Sequence, residues 1–205
     1  MSTGEEGRPM PRVSQQYKDD QRAEILAAAR RCFVRNGFHR TSMQDVFAEA
    51  GKSAGAVYRY FPKKEDMIVG VAAQNLDEVA EVLHTALTRG DGERGIGQVM
   101  AELLEAVIER HHDRQLATMA LTVWSEALRN PALAERLEAA TVSMSQDMAA
   151  LVRKRQQAGT WTGAPADVLA RVILSVLPGF LLNLALLGPR GVAQFPDAVR
   201  TLWPS

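Results

Sequence analysis

The sequence predicts an all-α protein with an N-terminal three-helix domain, containing a helix-turn-helix, and a C-terminal helical domain. Two observations predict this fold class. Apolar residues recur with the helical period from about residue 20 onward, and no segment shows the strict alternation of a half-buried strand. Gly and Pro breaks divide these segments into helices of ordinary length. We expect an arm at residues 1–19, the helix-turn-helix domain at 20–66 and the helical domain at 67–205.

Residues 1–19 are polar, contain two prolines and lack the apolar core of a signal peptide, so we expect a flexible arm and a cytoplasmic protein. The first helix is predicted from about Asp20 to Arg35, where Asn36-Gly37 stops it. The single cysteine, Cys32, lies on the apolar side of this helix and excludes an internal disulfide.

The next segment predicts two short helices separated by a tight turn. Thr41 and Gln44 have the spacing of a capping box, which predicts a helix from about Ser42. Gly51 suits the left-handed position that ends this helix. One face of the helix is apolar, formed by Met43, Val46, Phe47 and Ala50.

The second short helix is predicted to begin after Ser53 and to stop before Pro62. Val57 and Phe61 form its buried side, four residues apart. Two short helices in this arrangement are typical of a helix-turn-helix, whose second helix can enter the major groove of DNA. Basic residues support that interpretation, because residues 30–64 hold eight Lys or Arg and only two acids.

The segment FHRTSMQDVFAEAGKSAGAVYRYFPKKEDMI resembles the signature of the TetR/AcrR family of one-component transcriptional regulators. In that signature a G-x-S-x-G-x-[LV]-Y-x-[HY]-F run forms the recognition helix. The residues in register with the pattern are Gly51, Ser53, Gly55, Val57, Tyr58, Tyr60, Phe61 and Lys64. The resemblance implies a homodimer that binds a palindromic operator in double-stranded DNA and, as a repressor, leaves it when a small lipophilic effector binds.

By the same resemblance, Thr41, Tyr58 and Lys64 hold phosphates, while Ser53, Ala54, Gly55 and Arg59 face base edges or nearby phosphates. Lys52 replaces a residue that is usually apolar in the family and adds a further candidate phosphate contact. The complete predicted DNA-binding set is Thr41, Ser42, Lys52, Ser53, Ala54, Gly55, Tyr58, Arg59, Tyr60 and Lys64.

A long helix follows Pro62 and is predicted to continue to about Thr88, so that it connects the helix-turn-helix to the C-terminal domain. Further helical patterns cover residues 96–112, 114–129, 131–158, 165–187 and 193–203. The apolar run 172–187 has sixteen residues and is short for a membrane span. We expect it to be kinked at Pro178 and, by resemblance, to form the dimer interface through Val172, Val176, Phe180 and Leu184.

The C-terminal domain has three apolar helix faces rich in Met and Trp, which suit either a plain core or a pocket for a lipophilic molecule. Glu105 or Glu126 would favour a cationic molecule there, unless it is simply a solvated residue on the outside of its helix. The candidate pocket residues are Met100, Leu104, Glu105, His111, Met119, Trp124, Glu126, Met144, Met148, Trp161 and Phe180.

Enzyme signatures are absent from the sequence, which contains no phosphate-binding glycine loop, serine elbow or Cys-His pair. His111, His112 and Asp113 are consecutive and point to different sides of a helix, so we expect no metal site and no cofactor. The sequence therefore favours a ligand-responsive regulator over an enzyme. The alternative is a helical module that binds a small molecule or a protein and carries a vestigial helix-turn-helix.

Overall fold

The structure is a computed structural model that describes residues 14–88, 94–159 and 163–203. These residues form ten α-helices and no strand, which confirms the all-α prediction. In chain order the helices are α1 Gln15–Asn36, α2 Met43–Ala50, α3 Ala54–Tyr58, α4 Lys64–Thr88, α5 Ile96–Arg114, α6 Leu116–Ala127, α7 Pro131–Gln157, α8 Ala166–Leu174, α9 Val176–Gly191 and α10 Phe195–Leu202.

Helix α1 begins at Gln15, five residues earlier than predicted. Ser14 caps it, because the Ser14 hydroxyl accepts a hydrogen bond from the Tyr17 amide at 3.2 Å. The first turns are polar and carry no apolar period, so the sequence pattern did not reveal them. Residues 15–19, predicted as part of the arm, are thus helical, and residues 1–13 of the predicted arm lie outside the described residues.

The capping box of α2 lies one residue later than predicted. The Ser42 amide donates to Asp45 Oδ2 at 2.7 Å and the Asp45 amide donates to Ser42 Oγ at 3.2 Å, so Ser42 and Asp45 form the box, not Thr41 and Gln44. Gly51 has the predicted left-handed conformation, with φ 62° and ψ 31°. Helix α3 starts after its predicted cap Ser53 and spans five residues.

Two hydrophobic cores organise the described residues. The N-terminal core joins α1, α2, α3 and the first half of α4, and the C-terminal core joins the rest of α4 with α5 to α10. Helix α6 contributes to both, because Met119 and Val123 pack in the N-terminal core while Leu116 and Ala120 pack in the C-terminal core. Helices α4 and α6, together with Leu133 of α7, therefore link the helix-turn-helix to the rest of the chain.

The predicted helix 165–187 is divided at Ser175 into α8 and α9, three residues before Pro178. Pro178 explains the position of this break, because it has no N–H for the Leu174 carbonyl and its ring crowds that carbonyl. The combined stretch Ala166–Gly191 is long and apolar enough to cross a membrane, judged by length and composition alone. Its inner side packs in the C-terminal core through residues that include Ile173, Leu177 and Leu181.

The crossing of α5 and α10 depends on Gly97. A Cβ added there would overlap the Trp203 carbonyl oxygen and lie 2.9 Å from the Val199 carbonyl oxygen. We expect Gly97→Ala to lower the free energy of unfolding by about 1–3 kcal/mol, measured by urea denaturation, because the opposing groups are backbone atoms. Gly70→Ala is the control, since its added Cβ meets the flexible end of Leu26. An equal loss in both variants would contradict this explanation.

Candidate nucleic-acid interface and cavity

One side of α3 is buried and fixes the orientation of the other. Val57 is completely buried and Phe61, just after the helix, is 2% exposed in the N-terminal core. The guanidinium of Arg22 lies over the Phe61 ring, 5.2 Å from its centre. These contacts direct the remaining side chains of α3 away from the protein.

The outward side of α3 presents small residues followed by a phenol and a guanidinium. Ser53, Ala54, Gly55 and Arg59 are exposed, and a Cβ added at Gly55 would meet no atom within 4 Å. Tyr58 is 47% exposed, and its ring packs edge-on against Phe47 with the ring centres 5.3 Å apart. A second molecule can thus approach the backbone of α3 closely, with hydrogen-bond donors beside it.

Three residues of the predicted DNA-binding set instead hold the domain together. The Lys64 ammonium donates to the carbonyl oxygens of Phe38, His39 and Thr41 at 2.9, 3.3 and 2.9 Å, which uses all three of its protons. Thr41 is 1% exposed, and its hydroxyl lies 3.2 Å from the Cys32 carbonyl oxygen and 2.8 Å from that of Gly37. In this conformation, neither group points outward to a phosphate.

Lys52 is the third of these residues. Its ammonium contacts Gln21 Oε1 at 2.6 Å and Glu24 Oε2 at 2.7 Å, so it ties the turn of the helix-turn-helix to α1. Of the other predicted residues, Ser42 is exposed and Tyr60 is half-buried. The exposed members of the predicted DNA-binding set are therefore Ser42, Ser53, Ala54, Gly55, Tyr58 and Arg59.

Both acids of α2, Asp45 and Glu49, are hydrogen-bonded within the fold. Hydrogen bonds from Arg31 and Arg35, at 2.6 and 3.1 Å, lower the pKa of Glu49. The Ser42 backbone amide, and after it the Ser42 hydroxyl, lower the pKa of Asp45 by hydrogen bonding to its carboxylate. Arg59 and Lys63, by contrast, form no ion pair with any described residue, so their charges remain available to a polyanion.

A polar side-chain contact joins the helix-turn-helix to α6. His39 Nε2, in the turn between α1 and α2, lies 3.2 Å from Glu126 Oε2, and Glu126 is 8% exposed. Because Met119 and Val123 of the same helix pack in the N-terminal core, α6 contacts the helix-turn-helix domain along its length.

The C-terminal domain contains a cavity of about 160 Å³ between α4, α6, α7, α8 and α9. Two of the predicted pocket residues, Trp124 and Met144, line it. The lining is mostly aliphatic and consists of Asn75, Leu76, Val79, Ala120, Trp124, Leu137, Thr141, Met144, Leu174, Leu177, Pro178 and Leu181.

The other apolar pocket candidates lie away from this cavity. Met100, Leu104, Met148 and Phe180 pack in the C-terminal core, and Met119 packs in the N-terminal core. Helical periodicity identifies a buried face but not the part of that face that borders a void, which is why sequence reasoning included them. Trp161 lies outside the described residues.

The three ionisable pocket candidates have other neighbours. Glu105 Oε1 lies 2.6 Å from Arg200 Nη2, and Glu126 pairs with His39. His111 is buried, and its Nδ1 accepts a hydrogen bond from the Ala117 amide at 3.1 Å. The prediction that Glu105 or Glu126 attracts a cation into the pocket finds no support in their positions.

Sequence reasoning also missed Asn75, which is 2% exposed and lines the cavity. Its Nδ2 donates to the Leu116 carbonyl oxygen at 3.3 Å. The available signal was a single amide four residues after Val71 and four before Val79, within the apolar stripe of α4.

The predicted dimer residues face in two directions. Val172 is 56% exposed and Val176 is half-buried, but Phe180 and Leu184 are 1% and 0% exposed and belong to the C-terminal core. The outward apolar side chains of α8 and α9 are instead Val168, Val172, Leu182, Leu186 and Leu187. A partner subunit in the position predicted for it would meet these residues, and not Phe180 or Leu184.

The part of the chain that the structure describes contains no group of three or more His, Cys, Asp or Glu placed to bind a metal ion. Cys32 is buried, and that burial raises the pKa of its thiol, as expected for a cysteine that packs as a small apolar residue.

Comparison with known proteins gives two family matches. The family described as "Bacterial regulatory proteins, tetR family" matches residues 25–71, and the family described as "BetI-type transcriptional repressor, C-terminal" matches residues 96–202. The HTH-type transcriptional repressor AcnR of Corynebacterium diphtheriae is 32% identical over 183 residues, which cover 86% of this chain and 87% of AcnR.

Two solved structures share the fold. Salmonella enterica GusR has a TM-score of 0.75 at 24% identity, with 93% of this chain and 95% of that chain covered. A regulator from Saccharomonospora viridis, solved in complex with choline, has a TM-score of 0.72 at 23% identity, with 90% and 95% covered.

Proposed function

The chain belongs to the TetR family of DNA-binding transcriptional regulators, and from this premise we propose that it is a cytoplasmic repressor that leaves a palindromic operator when a small molecule binds its cavity. The observation that carries the proposal is the outward side of α3. Val57 and Phe61 anchor the helix, while Ala54, Gly55 and Arg59 are exposed. Small residues, then a phenol and a guanidinium, suit close contact with base edges and phosphates.

Operator symmetry follows from dimerisation, which is a property of TetR regulators. The exposed apolar side chains Val172, Leu182 and Leu186 provide a surface that a second copy would cover. A two-fold axis through this surface would relate two copies of α3, and operator binding requires that they reach successive major grooves about 34–36 Å apart.

The cavity supports a small-molecule effector. Its volume of about 160 Å³ and its mostly aliphatic lining would accept a small apolar molecule, whose binding removes that lining from water. The choline complex of the S. viridis regulator shows that a protein of this fold holds a small molecule.

Helix α6 is the proposed connection between effector and DNA. Ala120 and Trp124 line the cavity on one side of the helix, and Glu126 contacts His39 of the helix-turn-helix domain at its end. In this proposal α6 has two positions, one in which α3 is oriented to bind the operator and one in which it is not. An effector that binds more tightly to the second position shifts the population away from the DNA-binding state.

The test is to select duplexes from a random-sequence DNA library with the purified protein and to measure affinity for the selected DNA at several salt concentrations. We expect an enriched palindrome with half-sites one helical turn apart. The logarithm of the binding constant should fall linearly with the logarithm of salt concentration, with a slope of about −0.9 for each phosphate contacted. Failure to enrich any palindrome, together with salt-independent binding, would contradict the proposal.

A further inference from the structure

We propose that the cavity between α4, α6, α7, α8 and α9 binds one uncharged molecule about the size of a single ring, and that it selects against quaternary ammonium ions and carboxylates. This inference rests on the proposed function, because it names the chemical class of the effector. Size, charge and one polar side chain each support it.

The volume limits the effector to one ring or its equivalent. Apolar cavities of about 150 Å³ stay dry and accept one benzene-sized molecule. The cavity here measures about 160 Å³, and the indole of Trp124 and the thioether of Met144 form part of its wall. Thr141, Leu174 and Pro178 also border a groove on the surface between α7 and α8, which provides a route of entry.

The lining lacks the groups that stabilise a cation. None of the described residues that line the cavity is charged, and Trp124 is the single aromatic residue among them. Quaternary ammonium ions are typically held in cages of several aromatic rings, and a buried charge without a partner is strongly disfavoured. A cation would therefore lose its hydration without a compensating contact.

The cavity also lacks a basic group that would stabilise a carboxylate. Two basic residues, Arg153 and Arg171, line the outer groove and not the cavity, and Arg171 pairs with Asp167 at 3.6 Å. Inside the cavity, Asn75 is the buried polar group, and its Nδ2 already donates to the Leu116 carbonyl oxygen. Its carbonyl oxygen accepts no hydrogen bond from the described residues, so Asn75 favours a ligand that donates one, such as an alcohol or a phenol.

The experiment compares three probes of nearly equal shape and different charge. They are 3,3-dimethylbutan-1-ol, which is neutral, choline, which replaces its quaternary carbon with a cationic nitrogen, and 3,3-dimethylbutanoate, which is anionic. Binding of each to the full-length protein is measured by calorimetry and by thermal shift. We expect the neutral alcohol to bind at least about tenfold more tightly than either ion. Tighter binding of choline or of the carboxylate overturns the proposal, as does the absence of binding by the alcohol.

Variants locate the site. Ala120→Leu narrows the cavity from α6 and Met144→Trp narrows it from α7, and we expect each to weaken alcohol binding by at least about tenfold. Ala139→Leu, on the exposed side of α7, is the matched control and should bind the alcohol like the wild type. Circular dichroism shows whether each variant is folded, independently of operator binding. Retained alcohol binding in both folded cavity variants would overturn the assignment of the site.

The same preparations separate this proposal from the proposed function. Selective binding of the alcohol supports the ligand class whatever happens at the operator. If the protein binds no operator at all, the regulatory function fails and the cavity assignment stands on the binding data. If the protein binds its operator but prefers a charged probe, the ligand class alone is wrong.

Discussion

Replacing Ala54 with glutamate is expected to lower operator affinity by about 100-fold or more while the fold and the dimer remain intact. Ala54 is the first residue of α3 and is exposed, so the longer side chain meets no protein atom that must move. In the proposed complex it would place a carboxylate between the helix and the DNA, where like charges juxtaposed at an interface cost several kcal/mol. The measurement is fluorescence anisotropy with the selected operator at fixed salt.

Ala139→Glu provides the control for that experiment, because it makes the same change at an exposed alanine of α7. It introduces the same charge on a helix outside the proposed DNA-contacting surface and should leave operator affinity within about twofold, because salt screens an exposed charge that does not contact DNA. If the two variants bind the operator equally well, α3 is not the DNA-contacting element. Circular dichroism and sedimentation of both variants establish that fold and dimer are retained.

Helix boundaries were predicted well where the helical spacing of apolar residues stopped or began at a residue that favours a helix end. The Gly51 stop and the start of α7 at Asn130-Pro131 are examples, because local backbone chemistry alone determines them. The start of α1 was missed, since Ser14 precedes a wholly polar turn. The capping box was placed one residue early because Thr41-Gln44 and Ser42-Asp45 both fit its spacing, and only burial of Thr41 distinguishes them.

The predicted DNA-binding set was only partly correct as a set of exposed residues, for a related reason. A pattern in sequence identifies residue types at a spacing, but not the partners that other segments bring to them. Lys64 carries a charge suited to phosphate, yet the loop after α1 supplies three carbonyl oxygens to its ammonium. Lys52 is held by Gln21 and Glu24 of α1 in the same way.

The cavity illustrates the same limit at the level of packing. Met100 and Met144 have equal chemistry and similar helical settings, but only Met144 borders the void. A void results from the packing of several helices, so the residue pattern of any one helix does not predict where it lies. Asn75 shows what sequence can offer in such a case, because an isolated amide in an apolar stripe marks a position that needs a specific partner.

Leu186→Glu is expected to convert the dimer into monomers and to lower operator affinity by a factor on the order of 10² to 10⁴, because a monomer loses the second half-site. Leu186 is 73% exposed in the protomer, so the substitution should leave the protomer folded, but a two-fold interface would bury the new charge twice. Sedimentation velocity gives the oligomeric state and anisotropy gives the affinity. Leu128→Glu is the matched control, since Leu128 is 85% exposed at the end of α6 and lies outside the proposed interface. A charge buried without a partner is incompatible with a stable apolar interface, so a Leu186→Glu protein that remains dimeric would place the two-fold axis elsewhere on the protein. Equal dissociation of the Leu128→Glu protein would lead to the same conclusion.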